Sequence, residues 1–497
     1  MYVKTLGFAP DLPPETAGVM IDCDGFIPTV TGMEAVSRED ASLGTLSSTA
    51  IGLATIRRLN GTRLTFAGTS TDLYHGTSSW GKVTRSSGDY SVPTNQYWTF
   101  TQYGNVTLAA NGSDPIQVMT SSDTVFSDLT ASVVAKIVLV VNDFIFAFNT
   151  NESTYGENQD RWWCSALGDY TNWTPSIQIQ CATNRLTDTF GGIEAAARFG
   201  DDVIVYKPQS MYIGRYIGAP FIWDFRVISD EVGAIGVNSV VTIGDPVPLQ
   251  FFVGYDDFYI YDGSRPRVIG HTEQGSIISD HFFNDLNNTH RNRIIGTHDS
   301  KKSRVFWFYP DTTSSGTPNK FICYNYRSKQ WGKGSLDVTA ATTYFGSGTT
   351  YNDLGTLYST YHDLPELPYS TAFLGTTTPV SAFFKPNKTF YKLTGTPSTN
   401  SYVTNNFGED NKMTVINRMR PRFTTNPTTG TQKTMYRDSL GDSDVTLSST
   451  ANLRFFNLLA DSNLEYDLQK QFVELANEIN NLSEETDAKR YALLGTE

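Results

Sequence analysis

This chain has few of the residues that would staple it, span a bilayer with it or clamp it onto nucleic acid, and each shortage narrows the reading. Its four cysteines, Cys23, Cys164, Cys181 and Cys323, stand in no CxxC spacing and are too sparse over 497 residues for a disulfide framework. They read as reduced thiols. No stretch approaches the ~18 consecutive apolar residues that a membrane helix needs, and the opening MYVKTLGFAPDLPPE has no apolar core of a secretory signal. We therefore expect neither a membrane segment nor a signal peptide. Basic residues are outnumbered, 38 Lys and Arg against 51 Asp and Glu, for a formal charge of −13. That balance disfavours wrapping a phosphate backbone, which needs cations, but suits a surface that DNA slides past.

Motifs for chemistry are equally scarce. None of the six histidines (His75, His271, His281, His290, His298 and His362) falls into an HxH or HExxH pattern. Neither metal nor cofactor is expected. Acid pairs occur at Asp22 and Asp24, Asp201 and Asp202, Asp256 and Asp257, and Asp442 and Asp444. A glycosidase needs two carboxylates facing one sugar ring, but acids at hairpin reversals are ordinarily solvated turn residues. The Asp442 pair lacks the further oxygens and closing Glu of a calcium loop. No GxSxG elbow and no phosphate-cradling glycine loop is present. TSTDLYHGTSSW approaches a sialidase box, but its Asp-to-Gly spacing is wrong and it does not recur. No catalytic residue is assigned.

What the chain does have is aromatic residues, 30 Phe and 26 Tyr, with 40 Gly, a mixture that favours strands and tight turns. From about Ile51 one pattern repeats: an apolar strand, a small polar turn, a second strand. Instances include LTFAGTSTDLYHG from Leu64, KIVLVVNDFIFAFN from Lys136, DVIVYKPQSMYIG from Asp202 and LQFFVGYDDFYIYDG from Leu249. The hairpins recur about every 35 to 55 residues, the period of a four-stranded propeller blade. The expected fold is an all-β propeller of about six to eight blades. A β-sandwich array fits the period less well. The eight tryptophans, among them Trp162, Trp163 and Trp173 in one cluster, are expected as filling between blades.

Four regions are expected. Residues 1–45 form an extended arm or strap, 46–365 the propeller, 366–460 closing strands or a tip subdomain, and 461–497 an amphipathic helical tail. Leu464, Leu468, Phe472, Leu475, Ile479 and Leu482 recur at helical spacing in that tail. Candidate subunit contacts are Phe8, Leu12, Ile21 and Phe26 of the strap and Leu468, Phe472, Leu475 and Ile479 of the tail. Packing back onto the same subunit is the plainer alternative for both.

Four ordered segments carry a more specific likeness: FAPDLPPETAGVMIDCDGFIPTVTG, RWWCSALGDYTNW, GAIGVNSVVTIGD followed by FFVGYDDFYIYDGSRPRVIG, and RVFWFYP with FICYNYRSKQWGKG. Over roughly residues 8 to 335 the chain resembles the packaged-DNA stabilisation proteins, also called tail hub or nozzle proteins, of short-tailed bacteriophages. The likeness fades past about residue 365. It implies a propeller subunit of a ring, usually a hexamer, at the end of the tail below portal and adaptor proteins. Tail needle or fibre proteins are further partners, and double-stranded DNA passes through without specific binding. It also implies a virion protein made in the bacterial cytoplasm, with no enzymatic role. Two other functions are weighed against it: a carbohydrate-binding or carbohydrate-cleaving propeller acting on host glycans, and a bacterial adhesin, which the missing signal argues against.

Overall fold

The computed structural model describes residues 5–13, 16–59, 63–129, 133–244, 248–273, 275–345, 379–397 and 400–405, with four two-residue strands beyond them. The chain divides into two units, residues 1–405 and 406–497. The second contributes two antiparallel pairs, Thr431–Gln432 with Ala451–Asn452 and Met435–Tyr436 with Val445–Thr446. The expected helix and its Leu468, Phe472, Leu475 and Ile479 lie outside the described residues.

The first unit is a β-propeller. Seven sheets, each built on a four-stranded antiparallel meander, follow one another along the chain. Blade one starts at Gly52–Arg57, blade two at Thr99–Tyr103, blade three at Val134–Val141 and blade four at Ala195–Phe199. Blades five, six and seven start at Val241–Ile243, Ile295–Asp299 and Ala340–Tyr344. Each of these first strands touches the first strands of the blades on either side, and that of blade seven touches that of blade one, so the ring is closed.

The closure uses both sides of the expected 46–365 span. Blade seven takes Val380–Phe384 and Thr389–Gly395 from beyond it, and its outer strand is Arg38–Thr45, which the sequence groups with the strap. Lys392 pairs with Asp40 and Tyr391 with Ala41. Strand pairing of this kind joins residues some 350 positions apart, and no local pattern announces it. The N-terminal strand thus completes the last blade and ties the two ends of the ring together.

Seven apolar clusters fill the seven seams. Strand alternation sorts the side chains: Phe144, Phe146 and Phe148 point into the seam of blades three and four, whereas Ile145 and Ala147 point into that of blades two and three. Likewise Phe306 and Phe308 face blade seven, while Val305, Trp307 and Tyr309 face blade five. A middle strand buried on both faces must be apolar at nearly every position, which is why RVFWFY is buried from end to end. Seven of the eight tryptophans are buried. The eighth, Trp80, is half-buried and packs on Phe384 and Phe390, at 5.3 and 5.5 Å, across the blade one–seven closure.

Candidate functional site

The strap is the most elaborate feature of the propeller's surface. Gly7–Phe8 runs parallel to Val19–Asp24, which pairs antiparallel with Ser401–Thr404. Phe26–Pro28 then pairs with Gln330–Ser335, the outer strand of blade six, and Met33–Ala35 adds a sixth strand to that sheet. Gln330 Nε2 donates to the Thr5 carbonyl at 3.1 Å, and the backbone N–H of Ser335 donates to Asp24 at 2.8 Å. Asp11 accepts from the Ile277 N–H at 2.7 Å and from the Ser276 hydroxyl, which ties the strap to the connection between blades five and six.

Beneath these polar contacts is the largest apolar cluster. Phe8, Met20 and Cys23 of the strap join Phe251 and Phe258 of blade five, Phe282 of the helix Ile278–Asp285, and Trp307, Tyr324 and Trp331 of blade six. Phe258 lies 4.9 Å from Trp331 and 5.1 Å from Trp307. Phe8 is fully buried, and such burial stabilises by about 1.5–3 kcal/mol per side chain. The Lys333 ammonium sits 4.9 Å over the Phe8 ring and 2.8 Å from Asp22. Burial and the neighbouring Lys333 charge hold the His281 imidazole below its ordinary value. Gly332 is required here: a Cβ would lie 2.3 Å from the Phe26 carbonyl oxygen. Glu34 bridges Arg304 at 2.7 Å and Lys302, and Arg304 also holds Asp299 at 2.7 Å.

The candidate contact residues divide. Phe8 packs on its own propeller, and Phe26 is half-buried against Tyr402 at 5.0 Å. Leu12 and Ile21 are half-buried too. Sequence reasoning missed Cys23, Gly332 and Lys333, which position the strap, because their partners lie about 300 residues away in the chain.

Of the acids flagged in the sequence, Asp22 and Asp24 hold Lys333 and Ser335 of blade six, whereas the pairs at 201–202 and 256–257 are engaged within their own blades. Asp256 accepts from the Tyr259 hydroxyl at 2.9 Å, and Asp257 accepts from the Phe258 N–H at 2.7 Å and lies 3.2 Å from His271 Nε2. Burial is the main influence on Asp257 and raises its pKa. Asp202 pairs with Arg215 at 3.3 Å, and Asp201 with Arg198 at 3.9 Å. Asp442, Asp444 and His362 lie outside the described residues. Among the described residues no group of three or more His, Cys, Asp or Glu is placed to hold a metal ion.

A cavity of about 300 Å³ is lined by inner strands of the adjacent blades five, six, seven and one, with Thr242, Thr297, His298, Thr342 and Thr343 among its polar walls. None of its lining residues is a carboxylate, lysine or arginine. His298 Nε2 lies 3.3 Å from the Tyr326 hydroxyl, and burial keeps its pKa low. A second cavity of about 260 Å³ is walled by residues 92–97, Arg293 and residues 316–318, and shares Ile51, Ile295 and Thr339 with the first. Hydroxyls and backbone amides there can hold water or a small neutral polar molecule.

No protein-family model matches this chain, and no curated protein does. Among solved structures it is similar to BamB from Moraxella catarrhalis, at 10% identity and a TM-score of 0.35, over 74% of this chain and 91% of that one. A likeness at that level carries no functional argument.

Proposed function

We propose that this chain is a structural subunit of the tail ring of a short-tailed phage, a hub or nozzle that retains packaged DNA and forms its exit channel. One observation carries the reading furthest. Three of the four segments behind the family resemblance, far apart in sequence, supply the same core: Phe8, Met20 and Cys23 from the first, Ile235, Val241, Phe251 and Phe258 from the third, Trp307, Tyr324 and Trp331 from the fourth. Residues that resemble the family in order also cooperate in space, as parts of one inherited unit would.

In this reading the ring's bore is acidic or neutral, and like-charge repulsion keeps DNA from adhering while loops narrow the passage. The net charge of −13 supports it. Native mass measurement and electron microscopy of the full chain, alone and with portal–adaptor complexes, test the proposal. A closed ring that seats on the portal complex is expected. A monomer that joins no tail assembly, or a bore dense in Lys and Arg, overturns it.

A further inference from the structure

Blade four ends differently from blade six. Its outer strand, Ile222–Ser229, is eight residues long, and no described strand pairs with its far side. The other eight-residue outer strand, Arg38–Thr45, opens with Arg38, Glu39 and Asp40, the charged sequence by which free edges avoid unwanted pairing. Ile222–Ser229 carries its charges as one mutually neutralising pair, Arg226 with Asp224 at 2.6 Å, among apolar residues. The hairpin leading into it exposes Ile217 (52%) and Phe221 (74%), with Tyr216 beside them hydrogen-bonded to Gln180. Val227 is exposed further along the strand. Large apolar side chains grouped at an open sheet edge mark a place where another strand adds.

We infer that this edge seats a second copy of this chain, which lays its strand Ser401–Thr404 and the adjoining acidic strap against Ile222–Ser229. The inference rests on the ring reading and names the contact that would build the ring. Charge is one argument. Arg226 and Arg215 reach out farther than the acids they pair with, 78% against 34% exposed for Arg226 and Asp224, and 62% against 28% for Arg215 and Asp202. Residues 5–37 contain no Lys or Arg, and of their acids Asp24, bonded to a backbone N–H, is exposed and Asp22 stays 60% exposed beside Lys333. The counter-strand is a second argument: among the described residues Ser401–Thr404 pairs with Val19–Asp24 alone, and Tyr402 and Val403 are exposed. Placement is the third. Blade four and the strap on blade six are two blade steps apart, roughly 100° about the axis, so copies add head to tail and a ring results where the rotation closes.

The test is cross-linking of the full chain carrying Val227→Cys and Val403→Cys, with a short bismaleimide; the native cysteines are all buried. We expect a ladder of covalent oligomers from the double variant and none from either single variant. Adding Phe221→Asp should weaken association tenfold or more with the melting temperature unchanged. An intact oligomer by native mass without the ladder puts the interface elsewhere and overturns this inference, leaving the ring reading standing. A cross-link within one chain overturns the second copy as occupant. A monomer at every concentration overturns both.

Discussion

Blades four and six have the same meander and opposite edges. Blade six is widened to six strands, roofed by the strap and packed beneath with aromatic rings; blade four ends, among the described strands, at Ile222–Ser229 with an apolar tip. A propeller hides edges along its axis by repetition but leaves each blade's outer strand open. This protein spends its N-terminus covering one such strand and supplying another, and leaves blade four as it is. An outer edge can be finished within the subunit, as on blade six, or left open to solvent.

Emptying the core beneath the strap should have the largest effect. Trp331→Ala removes a fully buried indole packed 4.7 Å from Tyr324 and should cost about 3–5 kcal/mol in urea unfolding, whereas Phe225→Ala at the half-buried edge of blade four should cost about 1–2 kcal/mol. Equal losses would mean the strap's core is no better packed than the bare edge. Next in size is Gly332→Ala, whose Cβ must push the strap off blade six; about 1–3 kcal/mol is expected, with Cys23 becoming open to maleimide while Cys164 and Cys181 stay protected. Burial raises the Cys23 thiol to about 11, so in the closed state it should not label near neutral pH.

A smaller effect separates the two blades by pH. Burial pushes the Asp311 carboxyl in blade six up, but donation from Thr313 and Asn319 and the Lys320 ammonium at 3.0 Å outweigh it and hold the group well below its ordinary 3.8. An acid with a depressed folded pKa contributes stability that is whole above its unfolded value and fades as pH falls below it. Asp311→Asn should therefore flatten the loss of melting temperature below pH 4, and an unchanged acid limb would refute the assignment. Smallest of all, Arg226→Ala should shift stability by under about 0.5 kcal/mol, because its pair with Asp224 is largely in solvent. A larger loss in the isolated subunit would show that blade four's edge has a structural role of its own.

How much was legible depended on range. The hairpins, their turn glycines and the burial of the tryptophans follow from alternation and composition over ten or twenty residues, and so the propeller could be read. Asp201 and Asp256 were legible as turn residues for the same reason, since each engages a neighbour three positions away, Arg198 and Tyr259, but Asp22 and Asp24 were not, since they engage Lys333 and Ser335. Gly332 and Lys333 could not be read as strap anchors, because their partners Phe26, Phe8 and Asp22 lie about 300 residues earlier.

The amino-acid order by itself determined the period, the apolar middle strands and the shortage of cations, since these are local or additive properties. Only the tertiary structure decided that there are seven blades, that Arg38–Thr45 closes the last of them, and that the strap covers blade six while blade four stays bare. The reason is physical. Which strand pairs with which, at a separation of hundreds of residues, depends on the closure of the whole ring, and many strands of similar pattern compete until it shuts.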